Sequence, residues 1–125
     1  MSLADRVAAR YLEADFVVEA MSNITPDDSG VEGAVLWISP GEAHGTDVQH
    51  GPRLKVVLGT KVTTESLRAS VTVTIEDAPR VLGGTLPGKV RSQVVAFIQR
   101  NQDVLLRHWR GELNSKQALN QLRPI

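Results

Sequence analysis

The stretch that decides the fold is GTLPGKVRSQVVAFIQRNQDVLLRHWRG, from Gly84 to Gly111. Apolar side chains recur along it at spacings of three, four and seven residues, which keeps them on one face of an α-helix. These positions are Val90, Val94, Phe97, Ile98, Leu105 and Trp109. We expect Thr85 to cap the helix, Pro87 to lie in its first turn and Gly111 to end it. One continuous helix of about 35 Å would cross a small sheet completely.

Strand patterns precede this helix. Residues 34–39 (AVLWIS) are apolar at both odd- and even-numbered positions, which is typical of a central strand covered on both faces. Residues 54–58 and 69–76 alternate, and the second segment places Ser, Thr and Glu on the outward side. A sheet with one face in water is antiparallel in most proteins. Residues 79–82 predict a short edge strand, where a proline is tolerated.

The remaining segments complete an α+β fold. Ser2 to Glu13 predicts an N-terminal helix, and Ser115 is expected to cap a short final helix that ends near Leu122. Residues 23–32 and 41–52 have the Gly, Pro, Asp and Ser content of loops. We therefore predict a three- to four-stranded antiparallel sheet with the long C-terminal helix packed on one face.

Length and composition indicate one domain, 1–125, that buries a core rich in aliphatic side chains. Its parts are an acidic helix and loop (1–30), the sheet (31–83) and a helical C-terminal part (84–125). The chain has no cysteine, so it has neither a disulfide nor a thiolate metal site. No apolar run is long enough for a membrane span or a signal peptide, and we expect a bacterial, cytoplasmic protein.

Charge is segregated along the chain although the net charge is zero. Residues 1–50 contain nine acidic and two basic residues, whereas residues 89–125 contain seven basic and two acidic residues. The favoured interpretation is internal pairing of the two ends, but self-association or an acidic partner is also compatible with it. Arg107 and Arg110 are the candidate partner-binding cations, and the same basic helix makes nucleic-acid binding a less favoured alternative.

One loop has the composition of a site. His44, Asp47 and His50 are residue types that bind divalent metals when they converge, and they could also perform acid–base chemistry. Their spacing matches no recognised ligand pattern, so an ordinary exposed loop is the favoured interpretation. A metal-dependent enzyme at residues 42–53 is the second alternative function.

The sequence lacks the signatures of enzymes. It has no phosphate-binding Gly-rich loop, no His-Glu-x-x-His and no Gly-x-Ser-x-Gly motif, and we expect no cofactor. The function we favour is a non-catalytic interaction or regulatory module that binds a second copy of itself or another protein. Val35, Trp37 and Val57 are expected to leave an apolar face uncovered, and Trp37 is therefore the third candidate partner-binding residue.

Residues 34–125 resemble a set of short uncharacterised bacterial proteins that contain a domain of unknown function. The likeness is in a Gly-x-Leu-Pro turn followed by a long helix that ends in Trp, and in a WISP-type strand with the loop and strand after it. The matching positions are Gly84, Leu86, Pro87, Val95, Leu105 and Trp109, then Trp37 to Pro40, His50 and Arg53 to Val56. The resemblance implies a toxin–antitoxin or mobile-element association and supplies no catalytic residue.

Overall fold

The computed structural model describes residues 22–41, 51–59 and 63–125. Five strands form one antiparallel sheet in which each strand pairs with the next along the chain. They are β1 (Ser22–Ile24), β2 (Ala34–Ile38), β3 (Arg53–Leu58), β4 (Val71–Thr74) and β5 (Val81–Leu82). The described helices are α1 (Pro26–Ser29), α2 (Thr64–Arg68), α3 (Gly88–Arg100), α4 (Gln102–Trp109) and α5 (Ser115–Gln121). The predicted α+β class is confirmed, with one strand more than the upper expectation.

The extra strand and a short helix lie where a loop was expected, in residues 23–32. Pro26 begins α1 and two aspartates occupy its first turn, while Gly30 ends it in the left-handed conformation at φ 78°. Proline, aspartate and glycine favour loops and helix ends alike, so this composition did not separate the two. Helix α2 was not predicted at all. The predicted N-terminal helix, Ser2 to Glu13, lies outside the described residues.

The core lies between one face of the sheet and helices α3 and α4. The strands contribute alternate side chains, which point to one face of the sheet. Among them are Leu36, Val56 and Val73, each of which is fully buried. Its helix residues are the apolar stripe of the opening stretch, namely Val90, Val94, Phe97, Ile98 and Leu105. The stripe was therefore predicted correctly at these five positions. Trp109 is half-buried and lies outside this core.

The expectation of one continuous helix is wrong, because the helix breaks at Asn101. The backbone there has φ −118° and ψ 19°, outside the helical values, and α4 begins at the next residue. The Asn101 N–H still donates to the carbonyls of Phe97 (3.0 Å) and Ile98 (3.2 Å). Asparagine is a poor helix former because its amide competes for backbone groups. The break separates α3 from α4 while both remain packed on the sheet.

The Asn101 side chain ties the break to the end of the chain. Its Oδ1 accepts the backbone N–H of Arg123 at 2.7 Å, and its Nδ2 donates to the Arg123 carbonyl at 2.8 Å. The same Nδ2 also donates to the Phe97 carbonyl at 3.0 Å. Asn101 is 0% exposed, so water cannot replace these bonds. The amide thus fixes residues after α5 against the α3–α4 junction.

The segment after α5 continues to the end of α1. The Ile125 N–H donates to the Ser29 carbonyl at 2.9 Å, at the end of α1. Gly30 permits this approach, because a Cβ there would lie 2.6 Å from the Ile125 carbonyl oxygen. Helix α5 begins one residue earlier than expected, since Asn114 rather than Ser115 is its cap and forms a capping box with Gln117.

The second face of the sheet is more buried than the alternation predicted. Thr74 was expected to face water but is 1% exposed, and Arg53 on the neighbouring strand is 6% exposed. These two residues are cross-strand partners on the face opposite the α3 core. The expectation of one wet face is therefore wrong at this end of the sheet. None of the described helices has the length and apolarity needed to cross a membrane.

Replacing Asn101 by Ala should destabilise the fold by about 2–3 kcal/mol, because the three hydrogen bonds of a buried amide are lost together with its link to the Arg123 backbone. Chemical denaturation of the purified chain measures this directly. The matched control is Asn120→Ala, which removes an exposed amide from α5 and should change stability by less than about 0.5 kcal/mol. Equal effects of the two substitutions would show that the Asn101 amide does not hold the C-terminal segment.

Candidate functional site

Trp37 is placed away from solvent. It lies in the middle of β2 with 5% of its surface exposed, and its neighbours Val35 and Val57 are 3% and 0% exposed. The uncovered apolar face expected around these three residues is therefore absent from this structure. A partner would reach Trp37 only after whatever covers it had moved. The binding role of Trp37 stays a prediction.

Arg107 and Arg110, in contrast, are exposed. Arg107 lies on α4 outside the face that buries Leu105 and His108, one turn after Val104, and Arg110 follows the helix directly. The exposure of both follows from the helical periodicity that buries the other side of α4.

Helix α5, which packs against α4, carries a third exposed cation. Val104 of α4, Leu113 of the connection and Ala118 of α5 form a small buried cluster that holds the two helices together. Lys116 is exposed in the first turn of α5. We refer to Arg107, Arg110 and Lys116 as the basic helical surface.

Carboxylates neutralise this surface only weakly. Arg110 Nη1 lies 3.7 Å from Glu112 Oε2, and both side chains are more than half exposed, a geometry that contributes about 0–1 kcal/mol. Neither Arg107 nor Lys116 has an ion pair with any residue in the described ranges. Within the described residues, the acidic and basic ends of the chain form one ion pair, between Lys89 and Glu32 at 2.7 Å. The basic helical surface thus keeps most of its positive charge.

One more cation, Arg123, lies at the helix break. The Arg123 guanidinium donates from Nη2 to the Arg100 carbonyl at 2.8 Å, at the end of α3. A cation at this position satisfies a carbonyl that the helix leaves unpaired and interacts favourably with the helix dipole. The role of Arg123 at this point is structural.

The candidate metal residues His44, Asp47 and His50 lie outside the described residues. Among the residues that are described, no group of three or more His, Asp or Glu side chains converges. The metal-site hypothesis for this loop therefore stays a prediction. The described ends of the loop, at Gly41 and Gly51, nevertheless contact a cluster that sequence reasoning did not find.

This cluster is built on Arg53 and Trp109. The guanidinium carbon of Arg53 lies 5.5 Å from the centroid of the Trp109 ring, a cation–π distance, and its Nη1 donates to the Gly51 carbonyl at 3.0 Å. Gly41 also lies close to Trp109, because a Cβ at Gly41 would be 2.8 Å from two of the indole atoms. The end of α4 thereby packs directly against Gly41, and through Arg53 it is connected to Gly51.

Lys55 lies two residues from Arg53 on the same face of β3. It is half-buried, and its Nζ donates to Thr72 Oγ1 at 3.4 Å. Burial lowers the pKa of Lys55, and the nearby Arg53 charge lowers it further. The pattern of residues 34–39 indicated a strand covered on both faces, but nothing in the sequence of β3 indicated that its two cations would share a buried face.

His108 is the buried titratable group of α4. It is 2% exposed, and its Nε2 lies 3.3 Å from Ser115 Oγ at the start of α5. Burial lowers the pKa of His108, because the imidazolium form would lose its hydration. The neutral imidazole is therefore the form that packs between α4 and α5.

Gly41→Ala should destabilise the chain by about 1–3 kcal/mol, because the new methyl group would collide with the Trp109 indole and backbone. Thermal unfolding with tryptophan fluorescence reports both stability and the indole environment. Gly88→Ala is the matched control: nothing lies within 4 Å of its Cβ position, and the residue begins α3. This control should be neutral or slightly stabilising. If Gly41→Ala behaved in the same way, the packing of Trp109 on Gly41 would be wrong.

Stability should fall as the pH is lowered through the range just below 6.5, because His108 takes up a proton in the unfolded chain before it does so in the folded chain. The loss should end once the pH is below the lowered pKa of the folded state. Urea denaturation at a series of pH values tests this, with His108→Gln as the comparison. Identical pH profiles for the two proteins would contradict the assignment.

Comparison with protein-family models, with curated proteins and with solved structures finds no match to this chain. The resemblance to short uncharacterised bacterial proteins, and the toxin–antitoxin or mobile-element association it implies, stay predictions.

Proposed function

We propose that this chain is a non-catalytic binding module of the cytoplasm that docks an acidic protein surface on its basic helical surface, Arg107, Arg110 and Lys116. One observation carries the proposal: three cations are exposed on or directly after two packed helices, and the described residues form only one ion pair with them, the weak one between Arg110 and Glu112. Unneutralised cations on a folded surface raise the association rate of acidic partners.

The support under these cations favours binding without rearrangement. Leu105 anchors α4 in the main core, and Ala118 is fully buried between α4 and α5. The capping box at Asn114 fixes the start of α5. A partner would therefore immobilise long side chains but would not have to order the backbone, which keeps the entropic cost of association low.

A protein partner is favoured over a nucleic acid. Asp103 lies on α4 one turn before Arg107, and Glu112 follows Arg110, so carboxylates are interleaved with the cations. A phosphate backbone would meet these carboxylates as like charges, whereas a protein surface can place its own cations opposite them. No aromatic side chain of the described ranges is fully exposed to stack on bases.

A second copy of the chain is one source of such an acidic surface. Asp27 and Asp28 are exposed in the first turn of α1, and neither has an ion pair within the described residues. Contact between α1 of one copy and the basic helical surface of another would be head-to-tail. Because the acidic surface can belong to a second copy or to a different protein, homodimerisation has to be measured separately.

Arg107→Glu with Arg110→Glu should weaken binding of a fluorescent polyglutamate peptide by about tenfold or more, because attraction becomes repulsion. Fluorescence anisotropy at low and physiological salt measures this. Arg107→Lys with Arg110→Lys is the matched control, since it keeps both charges, and it should retain most of the binding. Light scattering at several protein concentrations tests whether the wild-type chain forms a dimer that the charge reversal dissociates.

Two results would overturn the proposal. One is a peptide affinity that the charge reversal leaves unchanged. The other is tighter, salt-dependent binding of duplex DNA that the same reversal abolishes, which would establish the nucleic-acid alternative instead.

A further inference from the structure

A groove of about 440 Å³ lies where β5 leads through a glycine turn to helix α3, and none of its lining residues belongs to the basic helical surface. It is lined by Pro79, Arg80, Val81, Gly84, Thr85, Leu86 and Arg91. This volume falls within the range of about 300–1,000 Å³ that is typical of small-molecule sites. All of the lining residues belong to one continuous stretch, so the groove is a local feature of the strand–turn–helix connection.

The glycine turn gives the groove a fixed wall. Gly83 and Gly84 have φ values of 66° and 153°, which side-chain-bearing residues rarely adopt. Gly84 also packs closely on β4, because a Cβ there would lie 3.1 Å from Val71 Cγ2. The turn is therefore held against the sheet, and Thr85 and Leu86 follow from a fixed position.

Two arginines are among the residues that line the groove, Arg80 before the glycine turn and Arg91 after it. Arg80 is held by Glu76, whose Oε1 accepts its Nε at 3.2 Å and whose Oε2 accepts its Nη2 at 3.4 Å. The hydrogen bond from Arg80, and a second from Thr74, lower the pKa of Glu76 and keep it ionised at neutral pH. The backbone N–H of Arg80 is fixed as well, since it donates to Thr74 Oγ1 at 2.8 Å.

Arg91 lies in the first turn of α3 and is exposed. No carboxylate of the described residues lies within ion-pair distance of it. Among the lining residues, Arg80 is thus oriented by a carboxylate, while Arg91 presents an uncompensated charge to the groove. A guanidinium binds carboxylate and phosphate groups through paired N–H donors, which a lysine cannot do.

The groove also has an apolar part. Val81 and Leu86 are half-buried and pack against the main hydrophobic core, which fixes their positions. Thr85 adds a hydroxyl between them and the start of α3. Apolar contact on one side and cations on the other define the chemistry of a ligand with an apolar body and an oxyanion group.

We propose that this groove binds a small organic oxyanion, with its carboxylate or phosphate group paired to Arg91 and Arg80 and its apolar body on Val81 and Leu86. The proposal does not depend on the function proposed for the basic helical surface. The groove recognises a ligand in which an oxyanion is joined to an apolar group. Whether the oxyanion is a carboxylate or a phosphate is decided by experiment.

The test is titration of the ¹⁵N-labelled full chain with phenyl phosphate, benzoate and neutral benzyl alcohol, followed by amide chemical shifts. Saturable shifts at Gly84, Thr85 and Leu86 are expected with at least one of the two anions, with a Kd in the millimolar range or tighter, about 10⁻³ M. The anion that binds more tightly identifies the preferred group. Benzyl alcohol should bind at least about tenfold more weakly, because it lacks the charge.

Arg91→Gln should weaken the anion affinity by about tenfold, and Arg91→Lys should restore part of it. Lys89→Gln is the matched control, because Lys89 is exposed on the same helical turn but does not line the groove. The anion affinity of the Lys89→Gln variant should equal that of the wild-type chain. Absence of saturable binding by both anions, equal binding of benzyl alcohol, or an equal loss in Lys89→Gln would overturn the proposal.

Discussion

The C-terminal half of this fold depends on the buried side-chain amide of Asn101. It accepts one hydrogen bond from the Arg123 backbone and donates another to it, while a third joins the amide to the preceding turn of α3. An amide with no access to water must have these partners, so the helix break and the path of the residues after α5 are fixed together. The same path brings Ile125 to Ser29, and this connects the helical layer with the first described helix.

Periodicity predicted the buried face of the helical part because that information is local. Val94, Phe97 and Ile98 are buried since their spacing places them on one side of any helix through this stretch. The break could not be predicted in this way. Asn101 lies within the apolar stripe, and the groups that satisfy it belong to a residue 22 positions later. A polar residue inside an otherwise regular stripe was the available signal, but only the tertiary structure shows which backbone it binds.

In the candidate site, too, local sequence pattern predicted some features, and others depend on tertiary structure. The exposure of Arg107 and Arg110 followed from the helix pattern, whereas the burial of Arg53 and Trp37 depends on what covers the second face of the sheet. Alternation along a strand assigns a side chain to a face, but it does not say whether that face meets water. The apolar pattern of residues 34–39 indicated coverage of both faces, but it did not predict a buried guanidinium against an indole, with a half-buried lysine beside it.

These cations have a consequence for strand register. Arg53 and Lys55 share the face opposite the α3 core, and Lys55 lies between Trp37 and Thr72 in a cross-strand row. A slip of β3 by one residue would move both charges into the apolar layer, where neither has a hydrogen-bond partner. The alternative registers are therefore strongly disfavoured. Because β4 is paired to β3, and β5 to β4, the fixed register also sets where the Gly83–Gly84 turn leaves the sheet. Charges on one face of a central strand thus help to position a groove at the edge of the sheet.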